Sequence, residues 1–251
     1  MSGHSKWSTI KRKKGALDAK RGKIFSRLAK EISIAARAGG GNTEMNPRLR
    51  TVLNAARAQN MPKDNIERAI QKGTGELPGT TYEELRYEGY GPGGVALIVD
   101  LITDNKNRSV AELRHVLSKN GGSMAENGAV TWNFDQKGSI TVSRNGLSDE
   151  ELFEKAIECG AEDVDTDNDE VCVITTAAGD LHVVSQALEE AGLTAEEAKL
   201  TMLPKTTVQV SGKDAAAVLR LMETLEDNDD VQDVFSNFDI SDEEMASLVE
   251  S

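Results

Sequence analysis

The chain has 251 residues and a formal net charge of −13, which suits two or three soluble domains with ordinary hydrophobic cores. No apolar stretch approaches the roughly 18 residues that a membrane helix needs. Lys6 and Lys11–Lys14 interrupt any apolar signal-peptide core. We therefore expect a cytoplasmic protein without membrane association. Cys159 and Cys172 are expected to be reduced, buried thiols.

The net charge hides a strong asymmetry along the chain. Residues 1–80 contain 17 Lys/Arg against 6 Asp/Glu, a net charge of +11, whereas residues 81–251 have a net charge of −24. A cationic segment attached to an acidic body is typical of proteins that bind a polyanion through one end. The charge pattern thus favours nucleic acid as a partner.

The first 17 residues form a basic arm, which we expect to be disordered without a partner because its dense like charges repel. A helix is predicted from Asp18, as N-cap, to about Ala38, before Gly39-Gly40-Gly41. Its wheel predicts one packed apolar face and one outward cationic face, which we call the basic stripe. The basic stripe comprises Lys20, Lys23, Arg27, Lys30 and Arg37.

These cations make the N-terminal region the candidate nucleic-acid site, because Lys and Arg gain affinity by releasing the counterions of phosphates. Trp7 is interpreted either as a base-stacking ring or as a packing anchor. The predicted contact residues are Lys6, Trp7, Lys11, Arg12, Lys13, Lys14, Lys20, Arg21, Lys23, Arg27, Lys30 and Arg37. A solvated charged face and a mitochondrial transit peptide are the competing interpretations.

Two more helices are predicted after the first, opening at Asn46-Pro47 and at Pro62. Residues 1–79 are therefore predicted to be a basic helical domain with an arm. The rest alternates strand and helix periods in two βαββαβ-like sets. We predict a discontinuous ferredoxin-like domain at 80–136 plus 204–251, and an inserted one at 137–203. The fold class is α+β.

Other motifs favour structural roles. Tyr87–Gly94 is glycine-rich but precedes a predicted strand rather than a helix, so we interpret it as a turn and not as a phosphate loop. Asp165–Glu170 lacks the glycine and the glutamate of a calcium loop. No zinc spacing or nucleophile elbow is present, and the three histidines are scattered. We expect no metal, no cofactor and no catalytic residue.

Several motifs nevertheless resemble the YebC family of proteins. They are Gly3–Trp7, Arg21–Lys23 with Phe25, Asn46–Arg50, Asn60–Ile70, Tyr87–Gly94, Thr103–Asn105 with Asn107-Arg108, and Gly121-Gly122 before Val130–Phe134. The resemblance implies a helical domain followed by two ferredoxin-like domains, one inserted in the other. It also implies a DNA-binding transcriptional regulator, or a translational activator linked to the ribosome, and carries no catalytic residues.

The leading hypothesis is a non-enzymatic DNA-binding regulator of transcription. The alternative is a ribosome-associated translation factor whose basic arm contacts rRNA. A carboxylate enzyme with a divalent metal is the third hypothesis. No coiled-coil or apolar dimer pattern is evident, so we expect a monomer.

Overall fold

The computed structural model describes residue 7, residues 17–168 and residues 170–250, and it shows a mixed helix and sheet architecture. The described parts of residues 2–133 and 204–251 form one compact unit, and residues 134–203 form another. No helix in the described ranges combines the length and apolarity needed to cross a membrane. The elements in chain order are α1 (Leu17–Gly39), α2 (Pro47–Ala58), α3 (Lys63–Thr74), β1 (Glu83–Tyr90), β2 (Ala96–Thr103), α4 (Lys106–Lys119), β3 (Ser123–Ala125), β4 (Phe134–Ser143), α5 (Asp149–Glu158), β5 (Asp163–Asp165), β6 (Val171–Ala177), α6 (Leu181–Glu190), β7 (Ala195–Pro204), β8 (Val208–Gln209), α7 (Gly212–Glu226), β9 (Val231–Ser236), β10 (Phe238–Asp239) and α8 (Asp242–Glu250).

The N-terminal helices α1 to α3 pack around their own apolar cluster. The Asn46 side chain accepts the Leu49 N–H at 3.0 Å and Pro47 opens α2, so this helix begins as the sequence predicts. The described part of α1 begins at Leu17, so Asp18 lies inside the helix rather than at its cap. The buried centre of the cluster consists of Leu28, Ile32, Ala35, Ala36, Leu49, Leu53, Ala56, Met61, Ile66 and Ala69.

The same unit contains a four-stranded sheet in the order β3-β1-β2-β9, with every neighbouring pair antiparallel. Strand β2 is buried over nearly its whole length, as its apolar run predicts. Strand β9 enters the sheet from beyond residue 203, beside β2. Helices α4 and α7 cover the sheet with an apolar core that includes Leu97, Leu117 and Leu221.

Residues 134–203 form a second four-stranded sheet in the order β5-β6-β4-β7. Its chain order is strand, helix, two strands, helix, strand, as predicted for a ferredoxin-like set. The sequence pattern predicts a helix at Asp149–Glu158, and α5 has these bounds. Ser148 and Glu151 form a reciprocal capping box that fixes its start. The buried core includes Ile140, Ile174 and Leu188.

Two segments differ from the pattern-based prediction. The sequence pattern of Ala129–Phe134 predicts a strand, but Thr131–Asn133 is a short 3-10 turn and β4 starts at Phe134. Tyr87–Gly94 was predicted to be a turn, but Tyr87–Tyr90 belongs to β1. The turn itself spans Gly91–Val95, with Gly93 at φ 68°. Strands β1 and β3 and helix α8 were not predicted at all.

Glu88 explains why residues 128–131 do not enter a sheet. One carboxylate oxygen accepts the Gly128 N–H at 2.6 Å, and the other accepts those of Val130 at 2.6 Å and Thr131 at 2.9 Å. Burial on its own raises the pKa of Glu88, but these backbone donors lower that pKa to about 2. The buried carboxylate therefore binds N–H groups that would otherwise be available to a neighbouring strand, and it holds residues 128–131 as a loop.

We predict that Glu88→Gln lowers the free energy of unfolding at pH 7 by about 2 kcal/mol, because an amide nitrogen would face backbone N–H donors. The folded-state pKa lies below the usual value of 4.5. The Glu88 carboxylate thus stabilises the folded protein fully at pH values above 4.5, and this stabilisation is lost as the pH falls from 4.5 toward 2. Urea unfolding at pH 7, 4 and 3 measures this difference. An unchanged acid dependence in Glu88→Gln contradicts it, and the exposed Glu126→Gln is the control.

Gly73 provides a second stability prediction, because α1 and α3 approach closely there. A Cβ at this position would lie 2.3 Å from the Ser33 carbonyl oxygen and 2.8 Å from the Ala36 Cβ. Gly73→Ala should lower the free energy of unfolding by about 1–3 kcal/mol through overpacking. Gly22→Ala, with nothing within 4 Å of the added Cβ, should instead be neutral or slightly stabilising. Equal thermal melts for both variants would refute the close packing.

Candidate nucleic-acid interface

The basic stripe on α1 is the main candidate interface, but three of its members form hydrogen bonds with another segment of the same chain. Lys23, Arg27 and Lys30 follow one another at helical spacing and reach the segment Glu226–Asp230, which we call the acidic loop. The acidic loop links α7 to β9. The basic stripe was predicted to face outward, and this prediction is wrong for Arg27 and Lys30, which are partly buried. Lys23 is exposed as predicted, although it also contacts the acidic loop.

The first two cations bind the C-terminal end of α7. Lys23 Nζ donates to the Asp227 carbonyl at 3.0 Å and approaches the Asp227 carboxylate at 3.4 Å. Arg27 donates to the carbonyl of Glu226 and, at 3.4 Å, to that of Asn228. The last carbonyls of a helix lack partners within the helix and carry partial negative charge. Cations from α1 supply those partners.

Lys30 makes the most buried of these contacts. Its Nζ lies 2.8 Å from Asp230 Oδ1, with side-chain exposures of 14% and 10% for the two residues. The second oxygen, Oδ2, accepts from Ser109 Oγ at 2.7 Å, Thr103 Oγ1 at 3.0 Å and Arg108 at 3.1 Å. Burial alone would raise the pKa of Asp230, but the donors hold that pKa well below its usual range. The Asp230 carboxylate therefore joins α1, β2, α4 and the acidic loop through its hydrogen bonds.

A helical wheel shows which side chains share a face but not which element lies opposite that face. The acidic residues Asp227–Asp230, taken as sequence alone, predict only repulsion of phosphate, and their contact with α1 was not predicted. The run Asp227-Asn228-Asp229-Asp230 after a predicted helix was the available signal. Its complementarity to a cationic stripe becomes evident only in the fold.

The remaining predicted contact residues have different positions. Arg37 is exposed in the last turn of α1. The backbone of Lys20 and Arg21 lies in α1, but their side chains lie outside what the structure describes. Lys6, Lys11, Arg12, Lys13 and Lys14 also lie outside the described residues.

Trp7 is 9% exposed and belongs to the apolar cluster around the first sheet. Its indole nitrogen is buried without a hydrogen-bond partner among the described residues. This position corresponds to the packing interpretation and not to an accessible stacking ring.

Three exposed cations of the helical region were counted in the net charge but not chosen as contacts. Arg57 lies in the last turn of α2, while Arg68 and Lys72 are four residues apart on α3. None of the three forms an ion pair with a residue that the structure describes. These three cations extend the exposed positive surface beyond α1. The four-residue spacing of Arg68 and Lys72, which places them on one face of a helix, was visible in the sequence.

The structure also locates the groups considered for other chemistry. Cys172 is buried and Cys159 half-buried, both as free thiols, and burial raises the pKa of Cys172 to about 11. Within residues 7, 17–168 and 170–250, no three His, Cys, Asp or Glu side chains are grouped to hold a metal.

The buried pair Lys30–Asp230 should be strongly coupled in stability. In a double-mutant cycle with Lys30→Met and Asp230→Asn, we expect a coupling of about 1–3 kcal/mol from urea unfolding. The exposed pair Lys63–Glu67, at 3.6 Å on α3, is the matched control and should give below about 0.5 kcal/mol. Equal coupling for both pairs would show that the α1 contact contributes no more than a surface ion pair.

Comparison with known proteins assigns the whole chain to one family. Residues 5–76 match the family described as TACO1/YebC protein N-terminal domain, and residues 82–238 match the TACO1/YebC second and third domain. A probable transcriptional regulatory protein of Desulfatibacillum aliphaticivorans is 57% identical, covering 97% of this chain and 98% of that protein. One from Geobacter sulfurreducens is 56% identical over 99% of this chain and its own full length.

A solved structure agrees with these matches. The crystal structure of a conserved hypothetical protein from Aquifex aeolicus is similar with a TM-score of 0.84 and 50% sequence identity. It covers 90% of this chain and 93% of its own. Since the two family matches together span most of the sequence, and relatives of more than half identity match nearly end to end, the chain belongs to the TACO1/YebC family.

Proposed function

We propose that this chain is a cytoplasmic, non-enzymatic regulator of transcription that binds DNA through its basic N-terminal region. The observation that carries the proposal is the separation of charge, with +11 on residues 1–80 and −24 on the remainder. The relatives named probable transcriptional regulatory protein support a regulatory role. Phosphate contacts position such a protein on DNA without reading the sequence directly.

The proposed contact surface is revised by the contacts of α1. Lys23, Arg27 and Lys30 are bound to the acidic loop, and Trp7 is buried, so these four are withdrawn. The arm residues Lys6, Lys11, Arg12, Lys13 and Lys14, together with Lys20, Arg21 and Arg37, stay in the proposal. The exposed Arg57, Arg68 and Lys72 are added to them.

The contacts of the basic stripe supply a physical reason for this division. Cations that bind the protein's own carbonyls and carboxylates have their charge partly compensated, so they gain less from meeting a phosphate. Cations without such partners keep the full gain from counterion release. The acidic side chains of residues 81–251 repel phosphates and direct the nucleic acid toward the N-terminal region.

We predict that replacing Lys11, Arg12, Lys13 and Lys14 with Gln weakens binding to all duplex DNA sequences alike. If all four contact phosphates, the slope of log affinity against log salt should become shallower by about 3 to 4. Fluorescence anisotropy with a labelled duplex at several salt concentrations measures both quantities. Gln at Lys137, Lys155 and Lys199, which lie in residues 134–203, is the control and should leave the slope unchanged. An unaltered slope in the arm variant would contradict the proposal.

Sedimentation of cell extracts through sucrose gradients tests the alternative role in translation. A transcriptional regulator should remain in the soluble fractions at moderate salt and bind promoter DNA with sequence preference. Co-migration with ribosomes, together with only nonspecific DNA binding, would instead identify a translation factor whose arm contacts rRNA.

A further inference from the structure

A groove runs along one flank of α4, where this helix lies against β3 at the edge of the first sheet. Its volume is about 710 Å³, which falls within the range of small-molecule sites. Helix α4 lines the groove from Lys106 to Arg114, and Tyr87 of β1 and the segment Met124–Asn127 complete the lining. We call this feature the α4 groove.

The apolar floor of the α4 groove is continuous with the core of the first sheet. Met124 pairs with Gly89, two residues from Tyr87, so the side chains of Met124 and Tyr87 lie on the same face of the sheet. Both pack against the buried cluster on that face and remain half-buried. Val110 and Ala111 line the groove from the helix side. The floor thus offers an aromatic ring and aliphatic carbon to a ligand.

Polar side chains along the α4 groove are available to a ligand. The exposed ones that line it are Lys106, Asn107, Arg114 and Asn127, together with a single acid, Glu126. Within the described ranges, neither the two cations nor the two amides form a side-chain hydrogen bond or an ion pair. By contrast, Arg108 on the same helix binds Asp104 and Asp230. The α4 groove therefore combines free cations with free amides.

The wall of the α4 groove that follows β3 is held in place. Glu88 accepts the N–H of Gly128, the residue directly after Asn127, at 2.6 Å. The Ala129 N–H donates to the Glu126 carbonyl at 3.1 Å, which closes a turn around Asn127. A wall that is fixed before the ligand arrives lowers the entropic cost of binding.

The order of groups along α4 matches the chemistry of a nucleotide in a strand. Lys106 and Arg114 are eight residues apart, about 12 Å along the helix axis. Val110 lies midway between them on the same flank, so a cation lies at each end of the apolar floor. An unpaired nucleotide likewise has a flat base with a phosphate on either side. Asparagine amides can hydrogen-bond the edge of such a base.

We propose that the α4 groove binds an unpaired nucleotide, with the base on the apolar floor and phosphates at Lys106 and Arg114. Sites for single-stranded nucleic acid combine an aromatic surface for the base with cations that neutralise the phosphates. A base within a duplex is paired and stacked on its neighbours, so it cannot enter the groove. This inference goes beyond the proposed function, because it places a second contact outside the basic N-terminal region.

Ala111→Glu in the full-length protein tests the proposal, because it places a carboxylate on the floor without replacing a buried residue. Binding of fluorescein-labelled 12-nucleotide oligouridylate and oligothymidylate should weaken about tenfold, the effect of one lost stacked base. Binding of a 12-base-pair duplex should change by less than about twofold. Ser118→Glu adds the same charge at an exposed position of α4 outside the groove, so it is the matched control and should affect neither probe.

Calorimetric titration with uridine and adenosine monophosphates identifies the source of the nucleotide. Binding of a monophosphate that is lost in Ala111→Glu would show that the α4 groove takes free nucleotides. Binding of the oligonucleotides alone, with the same sensitivity to Ala111→Glu, would show that it takes a nucleotide within a strand. Equal binding of every probe by Ala111→Glu and the unmodified protein would overturn the proposal.

The double variant Lys106→Gln with Arg114→Gln measures the phosphate contacts. If each cation neutralises one phosphate, the slope of log affinity against log salt for a single strand should become shallower by about 1.4. Lys213→Gln with Arg220→Gln makes the same charge change at exposed positions of α7 and should leave the slope unchanged. Equal slopes for the two double variants would contradict the phosphate contacts.

Crosslinking provides a measurement on the unmodified protein. An oligonucleotide that contains thiouridine should attach on irradiation to Tyr87 or Met124, and mass spectrometry locates the adduct. Adducts confined to residues 1–79 would overturn the α4 groove as the site.

The outcomes separate this inference from the proposed function. Duplex binding through the arm with unchanged single-strand affinity in Ala111→Glu would overturn only the α4 groove. Failure of every nucleotide and nucleic-acid probe to bind would overturn both. An oligoglutamate peptide whose binding Ala111→Glu weakens as strongly as that of oligouridylate would overturn the assignment to a nucleotide and identify an acidic protein segment as the partner class.

Discussion

The pairing of Lys30 with Asp230 links the helical region to the first sheet, and the arrangement around α1 depends on it. Two charges this deeply buried are tolerated because each has several polar partners. Lys30 also bonds the carbonyls of Ile102 and Asp229, which attaches it to β2 as well as to the acidic loop. Removing either partner would leave a buried charge without compensation.

The position of α1 follows from this pairing and from the helix end beside it. The carbonyls at the end of α7 need donors, and α1 provides them at one-turn spacing with Lys23 and Arg27. The positive charge of the N-terminal region therefore serves two purposes. One part binds the acidic loop, and the other remains on the surface.

Much of the fold follows from local signals in the sequence. Helix α5 has a capping box, α2 has an Asn-Pro start, and β2 is a continuous apolar run, so these elements were predicted close to their observed bounds. Strand β1 was missed because its polar residues, such as Arg86 and Glu88, gain their partners from distant segments. The strand predicted at 129–134 failed for the same reason, since the buried Glu88 carboxylate binds the N–H groups of Val130 and Thr131, which are 42 and 43 residues away in the sequence.

The candidate site was predictable only in part. Charge counting identified the cationic region, but it did not distinguish Lys30, which is buried, from Arg37, which is exposed. Trp132 lay inside the strand predicted at 129–134, and a strand pattern gives no indication that its side chain is 68% exposed. Burial and pairing depend on tertiary contacts that local patterns do not contain.

The late position of β9 in the chain determines the order in which the protein is completed during synthesis. Residues 134–203 leave the ribosome as an uninterrupted stretch and can close their sheet at once. The sheet of β1 to β3 is completed only after residues 231–236 have been synthesised. Until then one hydrogen-bonding edge of β2 has no neighbouring strand. The acidic loop emerges immediately before β9, so α1 receives its counter-charges in the same step that completes the sheet. A nascent chain released before this point would expose both an open strand edge and an uncompensated cationic helix.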